Sequence, residues 1–264
     1  MPQIYAFFVA YYLFVIIISL PLCCKTYLCG TVMIKSALEQ VMSKDLSDLW
    51  GVLDGDEKRL VINNFQIYGF KKNQIIYGEG DEPEYIWCLL KGKVKKYKDG
   101  AGGRPQILRL IRPVQYFGYR AYFAGERYCS SAAAFESSTL GAIPMKLVDD
   151  MVNANMKLAR FFIHELSRNL GSSDTRIVNL TQKHIRGRLA EALIMLKDNY
   201  GYEEDNVTLR IYMGREDLAN LSNMTTSNAI RTLTAFVNER ILAVDGRCIK
   251  IINEPILRKI SKFG

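Results

Sequence analysis

Residues 212–236 read Tyr212-Met213-Gly214-Arg215-Glu216-Asp217-Leu218-Ala219-Asn220-Leu221-Ser222-Asn223-Met224-Thr225-Thr226-Ser227-Asn228-Ala229-Ile230-Arg231-Thr232-Leu233-Thr234-Ala235-Phe236. The stretch parses as two short helices about a tight turn. Arg215 to Leu221 makes the first, with Leu218 and Leu221 on one side and small Ala219 where another helix can cross closely. Ser222-Asn223-Met224 makes the turn, and Asn223 occupies a position where a left-handed backbone is needed, which Asn tolerates almost as well as Gly. Thr225 is a helix N-cap, its hydroxyl placed to accept from a free backbone N–H.

At 100° per residue the second helix divides by chemistry. Ala229, Thr232, Leu233 and Phe236 share one face; Ser227, Arg231 and Thr234 point the other way, flanked by Thr226 and Ile230. Short hydroxyls at a helix start followed by an arginine suit entry into a DNA major groove, where Arg bonds guanine O6 and N7 in bidentate fashion. On that reading Thr225, Thr226, Ser227, Asn228, Arg231 and Thr234 are the candidate DNA-binding residues, with Arg231 as the base reader. Taken alone, the pattern favours an ordinary αα-hairpin with a solvated outer face.

The surroundings decide between the two. Ile241 to Val244 and Arg247 to Ile252 are β-rich runs separated by Asp245-Gly246, a strong hairpin signal. Upstream, His184 to Leu196 reads as a helix with Ile185, Leu189, Leu193 and Leu196 on one side. A helix, a helix-turn-helix and a hairpin together make a winged helix. The 264 residues carry a formal net charge of +8, which suits a polyanionic partner. From Gln182 onward there are 13 Lys/Arg against 10 Asp/Glu, so recognition there depends on where charge sits.

The first 24 residues are nearly all apolar, with Lys25 the only charge among the first 34. The leading reading is an upstream extension, with translation starting at Met33 or Met42; a membrane anchor over residues 4–24 ranks second and a buried helix third. From Ile34 to Asn64 the pattern is helical. Beyond it come short β-type runs, Phe65 to Phe70, Gln74 to Tyr77, Tyr85 to Leu90, Val94 to Lys98, Gln106 to Arg112, Ser131 to Glu136 and Thr139 to Ile143, punctuated by glycines, as in a β-sandwich or roll. The basic run Lys91 to Lys98 puts Lys93, Lys95 and Tyr97 on one strand face and Val94, Lys96 and Lys98 on the other, and reads as a solvated strand ahead of a nucleic-acid contact.

After Pro144 the chain turns helical. Leu158, Phe162, Leu166, Leu170 and Ile177 recur at three- to four-residue steps and are the candidate dimer interface. His164 and His184 read as structural. The six cysteines, at 23, 24, 29, 88, 129 and 248, form no disulfide framework and no CxxC pair, so a reducing, cytoplasmic setting is the default and no metal site or cofactor is expected. No nucleophile–base spacing or phosphate loop stands out, and the chain is not expected to be an enzyme.

The order of a Gly-punctuated roll, one long helix and a C-terminal winged helix resembles the Crp–Fnr family of bacterial transcription regulators. The pieces that carry the resemblance are Gly78-Glu79-Gly80-Asp81, Lys91-Gly92-Lys93-Val94, Gly187-Arg188-Leu189-Ala190 and the helix-turn-helix with its wing. It implies an α+β fold: a cyclic-nucleotide-binding-type β-roll of the double-stranded β-helix or jelly-roll type at 33–150, behind a hydrophobic extension at 1–32. A dimerisation helix at 151–181 and a winged helix-turn-helix at 182–264 would follow. The implied function is a homodimer on palindromic double-stranded DNA, acting on RNA polymerase and controlled by a small effector in the roll; the alternative is a membrane-attached cyclic-nucleotide sensor.

The resemblance also marks departures. In cyclic-nucleotide members an acid holds the ribose and an Arg pairs with the phosphate; here Tyr119 replaces the acid, Tyr128 or Cys129 falls at the Arg position, and Arg127 is out of step. Tight cyclic AMP binding is therefore not expected, because a buried phosphate without a charged partner is costly. Tyr119, Arg120, Arg127, Tyr128 and Cys129 remain as the candidate effector pocket, for an effector that is unidentified. In oxygen-sensing members an iron–sulfur cluster uses N-terminal cysteines and one more near the last roll strand, where this chain has Gly141.

Overall fold

The computed structural model describes residues 47–264, so the apolar extension and Cys23, Cys24 and Cys29 lie outside the described residues. The first elements are two short helices, α1 (Ser47–Trp50) and α2 (Gly55–Asn64). Asp54 and Glu57 form a reciprocal capping box at the start of α2: the Asp54 carboxylate accepts from the Glu57 N–H at 2.9 Å, and the Glu57 carboxylate accepts from the Asp54 N–H at 2.8 Å.

Eight strands follow: β1 (Gln66–Phe70), β2 (Ile75–Tyr77), β3 (Tyr85–Lys91), β4 (Val94–Asp99), β5 (Pro105–Ile111), β6 (Tyr116–Phe117), β7 (Ser131–Ala134) and β8 (Ser138–Pro144). They pair antiparallel in two four-stranded sheets, β1-β8-β3-β6 and β2-β7-β4-β5, the jelly-roll arrangement expected. Leu89, Val94, Ile111, Phe117, Ala132 and Leu140 lie in the core between them. The β3–β4 turn at Gly92 has φ +94°, and a Cβ there would sit 2.4 Å from Ser138 Oγ, which explains the glycine in Lys91-Gly92-Lys93-Val94. The very short β6 and the helix after it, α3 (Tyr119–Phe123), are elements that the strand-period reading passed over.

Helix α4 (Met145–Ala154) leads to α5 (Met156–Gln182). Asn155 breaks the run between them, with φ −114° and ψ 100°. Its Oδ1 caps α5 by accepting from Lys157 N at 2.9 Å, and its Nδ2 donates to the Glu57 carboxylate at 2.7 Å, tying α2 to the head of the long helix. The helical path thus breaks at Asn155 rather than at residue 150, which lies inside α4. The remaining elements are α6 (Ile185–Tyr200), α7 (Arg215–Leu221), α8 (Thr226–Asn238), β9 (Leu242–Asp245), β10 (Cys248–Ile251) and α9 (Glu254–Phe263). Helix α9 was not anticipated, although its signals are present: Asn253 accepts from Ile256 N at 3.1 Å and Pro255 sits in the first turn. It packs along α6.

The stripe assigned to dimerisation splits over two faces of α5. Leu158 and Phe162 are buried in their own chain, Phe162 against the Tyr119 and Phe123 rings. They are therefore not interface residues. The most outward apolar residues are Met156, Ile163, Leu170 and Ile177, which are 72%, 62%, 65% and 59% exposed, with Val178 beside the last at 48%. They are spaced by seven, the repeat that keeps one seam in line along a helix. Leu166 is half-buried beside them.

The Lys93 face of β4 is also not a solvated strand. Lys93 pairs with Glu136 at 2.9 Å and lies over the Tyr200 ring, while Lys95 pairs with Asp217 of α7 at 3.0 Å. Ile107, Leu110 and Phe135 of the roll join Leu193, Ile211, Leu218, Leu221 and Phe236 in one core. The roll and the winged helix therefore share packed apolar surface within one chain.

Candidate DNA interface

Helix α7 takes the bounds read from sequence and α8 starts after the expected cap and runs two residues past Phe236, and the turn between them has Asn223 at φ +51°. Thr225 Oγ1 accepts from Asn228 N at 3.3 Å, the N-cap expected of it. On α8, Ala229, Leu233 and Phe236 are buried, and Thr225, Thr226, Ser227, Ile230, Arg231 and Thr234 are exposed. Asn228 is half-buried. Thr234 donates its hydroxyl to Ile230 O at 3.0 Å, so that proton is engaged within the helix. Arg231 enters no ion pair or side-chain hydrogen bond among the described residues.

Several contacts hold this face in place. Arg186 at the start of α6 pairs with Glu239 at the end of α8 and lies 4.7 Å from the Phe236 ring centre. The Glu239 pKa is lowered, first by the hydrogen bond from Arg186. At the turn, Arg104 Nη2 donates to Asn223 Oδ1 at 2.9 Å, and Gln106 Nε2 donates to Asn220 O at 2.6 Å. Arg176 of α5 donates through Nη2 to both Ile107 O on β5 and Leu221 O at the end of α7, each at 2.8 Å. The roll, the long helix and the helix-turn-helix thus meet at one guanidinium.

The wing is the β9–β10 hairpin, with Asp245 paired to Cys248. Its two-residue loop is Gly246-Arg247, one position later than the Asp245-Gly246 turn read from sequence. The loop exposes Arg247, a cation not counted among the candidate contacts; the hairpin signal located the loop but gave no reason to single out its arginine.

Of the effector candidates, only Arg120 and Cys129 touch through their side chains. Tyr128 is buried and stacks on Tyr77 at 3.8 Å between ring centres. Tyr119 is buried against α5, accepting from Asn169 Nδ2 at 3.1 Å, and its pKa rises to about 12, chiefly through burial. Arg120 reaches Glu126 at 3.1 Å and Cys129 Sγ at 3.3 Å. Arg127 turns away, pairing with Glu82 at 2.6 Å and donating to Gly80 O at 3.0 Å, so it does not belong with the others.

A family model described as a cyclic nucleotide-binding domain matches residues 69–155, and one described as a Crp-like helix-turn-helix domain matches residues 187–260. The chain belongs to the Crp–Fnr family. It is a DNA-binding transcription regulator and not an enzyme. The fumarate and nitrate reduction regulatory protein of Vibrio cholerae is 27% identical over 192 residues, 72% of this chain and 76% of that protein. The regulatory protein HlyX of Actinobacillus pleuropneumoniae is 26% identical over 182 residues, 69% and 75% respectively. Among solved structures, FixK2 from Bradyrhizobium japonicum superposes with a TM-score of 0.68 at 21% identity, over 74% of this chain and 96% of that one. TTHA1359 from Thermus thermophilus gives 0.62 at 22% identity, over 75% and 98%.

Within this Crp–Fnr regulator, Gly141 does not fit a role in holding a cluster. A Cβ at 141 would lie 1.9 Å from Phe65 Cζ, so the Phe65 ring fills the space a cysteine side chain would need. Gly141→Cys is accordingly expected to destabilise the protein by about 1–3 kcal/mol through overpacking. The check is urea denaturation, in which Gly141→Cys should cost less in a Phe65→Ala background than in the parent; an unchanged midpoint for Gly141→Cys in the parent would show that the ring yields freely.

Proposed function

We propose that two copies of this regulator pair along α5 and place their α8 helices in successive major grooves of a palindromic DNA site. The polar face of α8, with Arg231 free of protein partners among the described residues, is the observation that carries this reading. Arg231 reads a base, Thr226, Ser227 and Asn228 bond phosphates or neighbouring base edges, Thr225 holds the helix start, and Thr234 lies at the rim. Arg247 on the wing reaches a flanking phosphate. The heptad-spaced row from Met156 to Ile177 supports the dimer, and twofold symmetry in the protein calls for the same symmetry in its target.

The DNA-bound dimer then recruits or blocks RNA polymerase, and the roll holds a small effector that biases the DNA-bound arrangement. The compartment proposed is the cytoplasm, where the DNA is. A membrane-attached sensor leaves the α8 face without a use; among the described residues no helix is long and apolar enough to cross a membrane.

Selection from a random DNA pool tests the reading. An inverted repeat with half-sites about one helical turn (~34 Å) apart is the expected product, and enrichment of no sequence would overturn it. On the selected site, Arg231→Ala is expected to cost about 1–3 kcal/mol while binding to unrelated DNA stays nearly the same. Equal weakening on both DNAs, measured by fluorescence anisotropy, would mean that Arg231 meets a phosphate instead.

A further inference from the structure

Two of the side chains that α8 turns outward are apolar, Ile230 at 47% and Val237 at 38% exposure. Val237 lies in the last turn of the helix. Ile230 stands in the middle of the polar face: Thr226 lies about one turn before it, Thr234 about one turn after, and Arg231 follows directly. Ala229, Leu233 and Phe236 fill the opposite side and are buried, so the domain core is closed without Ile230. Isoleucine is also a poorer helix former than alanine, and the helix has no local need of it.

The neighbours sharpen the contrast. Thr234 donates its hydroxyl to Ile230 O at 3.0 Å, which leaves a methyl group and an accepting oxygen to face outward contacts. A β-branched side chain in a helix keeps to one strongly preferred χ1 rotamer, so Ile230 loses little freedom when it is pressed against a surface. In the major groove every base pair presents hydrogen-bonding atoms, and only thymine adds an apolar group, its 5-methyl. Isoleucine laid on the edge of guanine, cytosine or adenine would strip water from donors and acceptors and return no bond. Laid on the thymine methyl, it takes apolar surface out of water.

We propose that Ile230 reads a thymine through its 5-methyl group, at a base step adjoining the guanine read by Arg231. This rests on the reading of α8 as the helix that enters the groove, and it names a second specificity residue on that helix. The two neighbours select in opposite ways. Arg231 gives bonds that one base can accept, and Ile230 gives none, which penalises every base that needs one.

Deoxyuridine pairs as thymine does and lacks only the methyl group, so it isolates this contact. Each thymine of the selected palindrome is replaced in turn, in both half-sites, and binding of the full chain is followed by fluorescence anisotropy. One position, next to the guanine whose preference Arg231→Ala relaxes, should weaken binding by about fourfold per half-site, the worth of one buried methyl group. Ile230→Ala should bind the thymine site more weakly and lose its sensitivity to deoxyuridine at that position alone. Ile75→Ala, which trims a side chain 58% exposed on β2 of the roll, should keep that sensitivity. The melting temperature of Ile230→Ala, expected to be no lower than that of the parent, separates lost recognition from lost folding. A half-site without thymine at that step, indifference of the parent to every deoxyuridine, or a sensitivity that persists in Ile230→Ala overturns the proposal. A chain that holds its palindrome yet ignores the missing methyl groups sinks this inference alone, whereas one that selects no DNA sequence ends the groove-reading assignment with it.

Discussion

Leu170→Glu is expected to leave a folded protein that sediments as a monomer and has lost its palindrome. Leu170 sits midway along the outward row of α5 and is 65% exposed, so the single chain gives up little when it becomes charged. In the dimer proposed above, the residue meets the corresponding row of its twin. Losing one buried leucine costs about 2 kcal/mol of burial, and symmetry counts it twice. The pair constant should therefore weaken by about 10³-fold, since each 1.4 kcal/mol is tenfold, before the repulsion of facing carboxylates is added. Sedimentation velocity checks the mass, and titration against palindromic and half-site DNA checks the consequence: the advantage of the palindrome disappears while half-site binding persists. Phe162→Ala should do the reverse, lowering the melting temperature because its ring lies against Tyr119 and Phe123. A Leu170→Glu protein that remains dimeric would place the interface elsewhere.

Arg176→Met is expected to loosen the winged helix from the roll. The substitution keeps most of the stem volume and removes the donors to Ile107 O and Leu221 O. Ile107 O retains the Gln106 amide at 3.1 Å, which leaves the Leu221 carbonyl as the main orphan. Loss of a charged donor from such a group costs about 2–3 kcal/mol. Urea denaturation should show the lower midpoint, and hydrogen exchange should show faster opening at α7 and β5 together. Arg168→Met is the comparison: its partner is Glu165 on the exposed side of the same helix, and its change should stay within about 0.5 kcal/mol. Equal stability for the two variants would refute the joint.

The reading helix was legible because three local signals agree in one place: a cap at Thr225, a left-handed turn residue at Asn223 and a clean split of polar from apolar side chains. All the strands but the two-residue β6 were legible from the apolar and β-branched runs between glycines. The α5 stripe was harder. Leu158 and Leu170 are both apolar at helical spacing, yet one turns to the roll and the other to solvent, and periodicity records only that both faces are greasy. The lysines of β4 show the same limit. Alternation separated Lys93 and Lys95 from Lys96, but which side is the interior depends on β5 and β7, far away in sequence. Helix α9 was missed although its cap and proline were in plain view.

Ile107, Leu110 and Phe135 belong by sequence to the roll and by packing to the core behind α8. The carriage of each reading head is accordingly machined partly in another domain, and the span from one head to the other is a dimension of the whole protomer. Residues 182–264 grafted onto a different partner would carry the same letters to the groove, yet with an altered stride between half-sites.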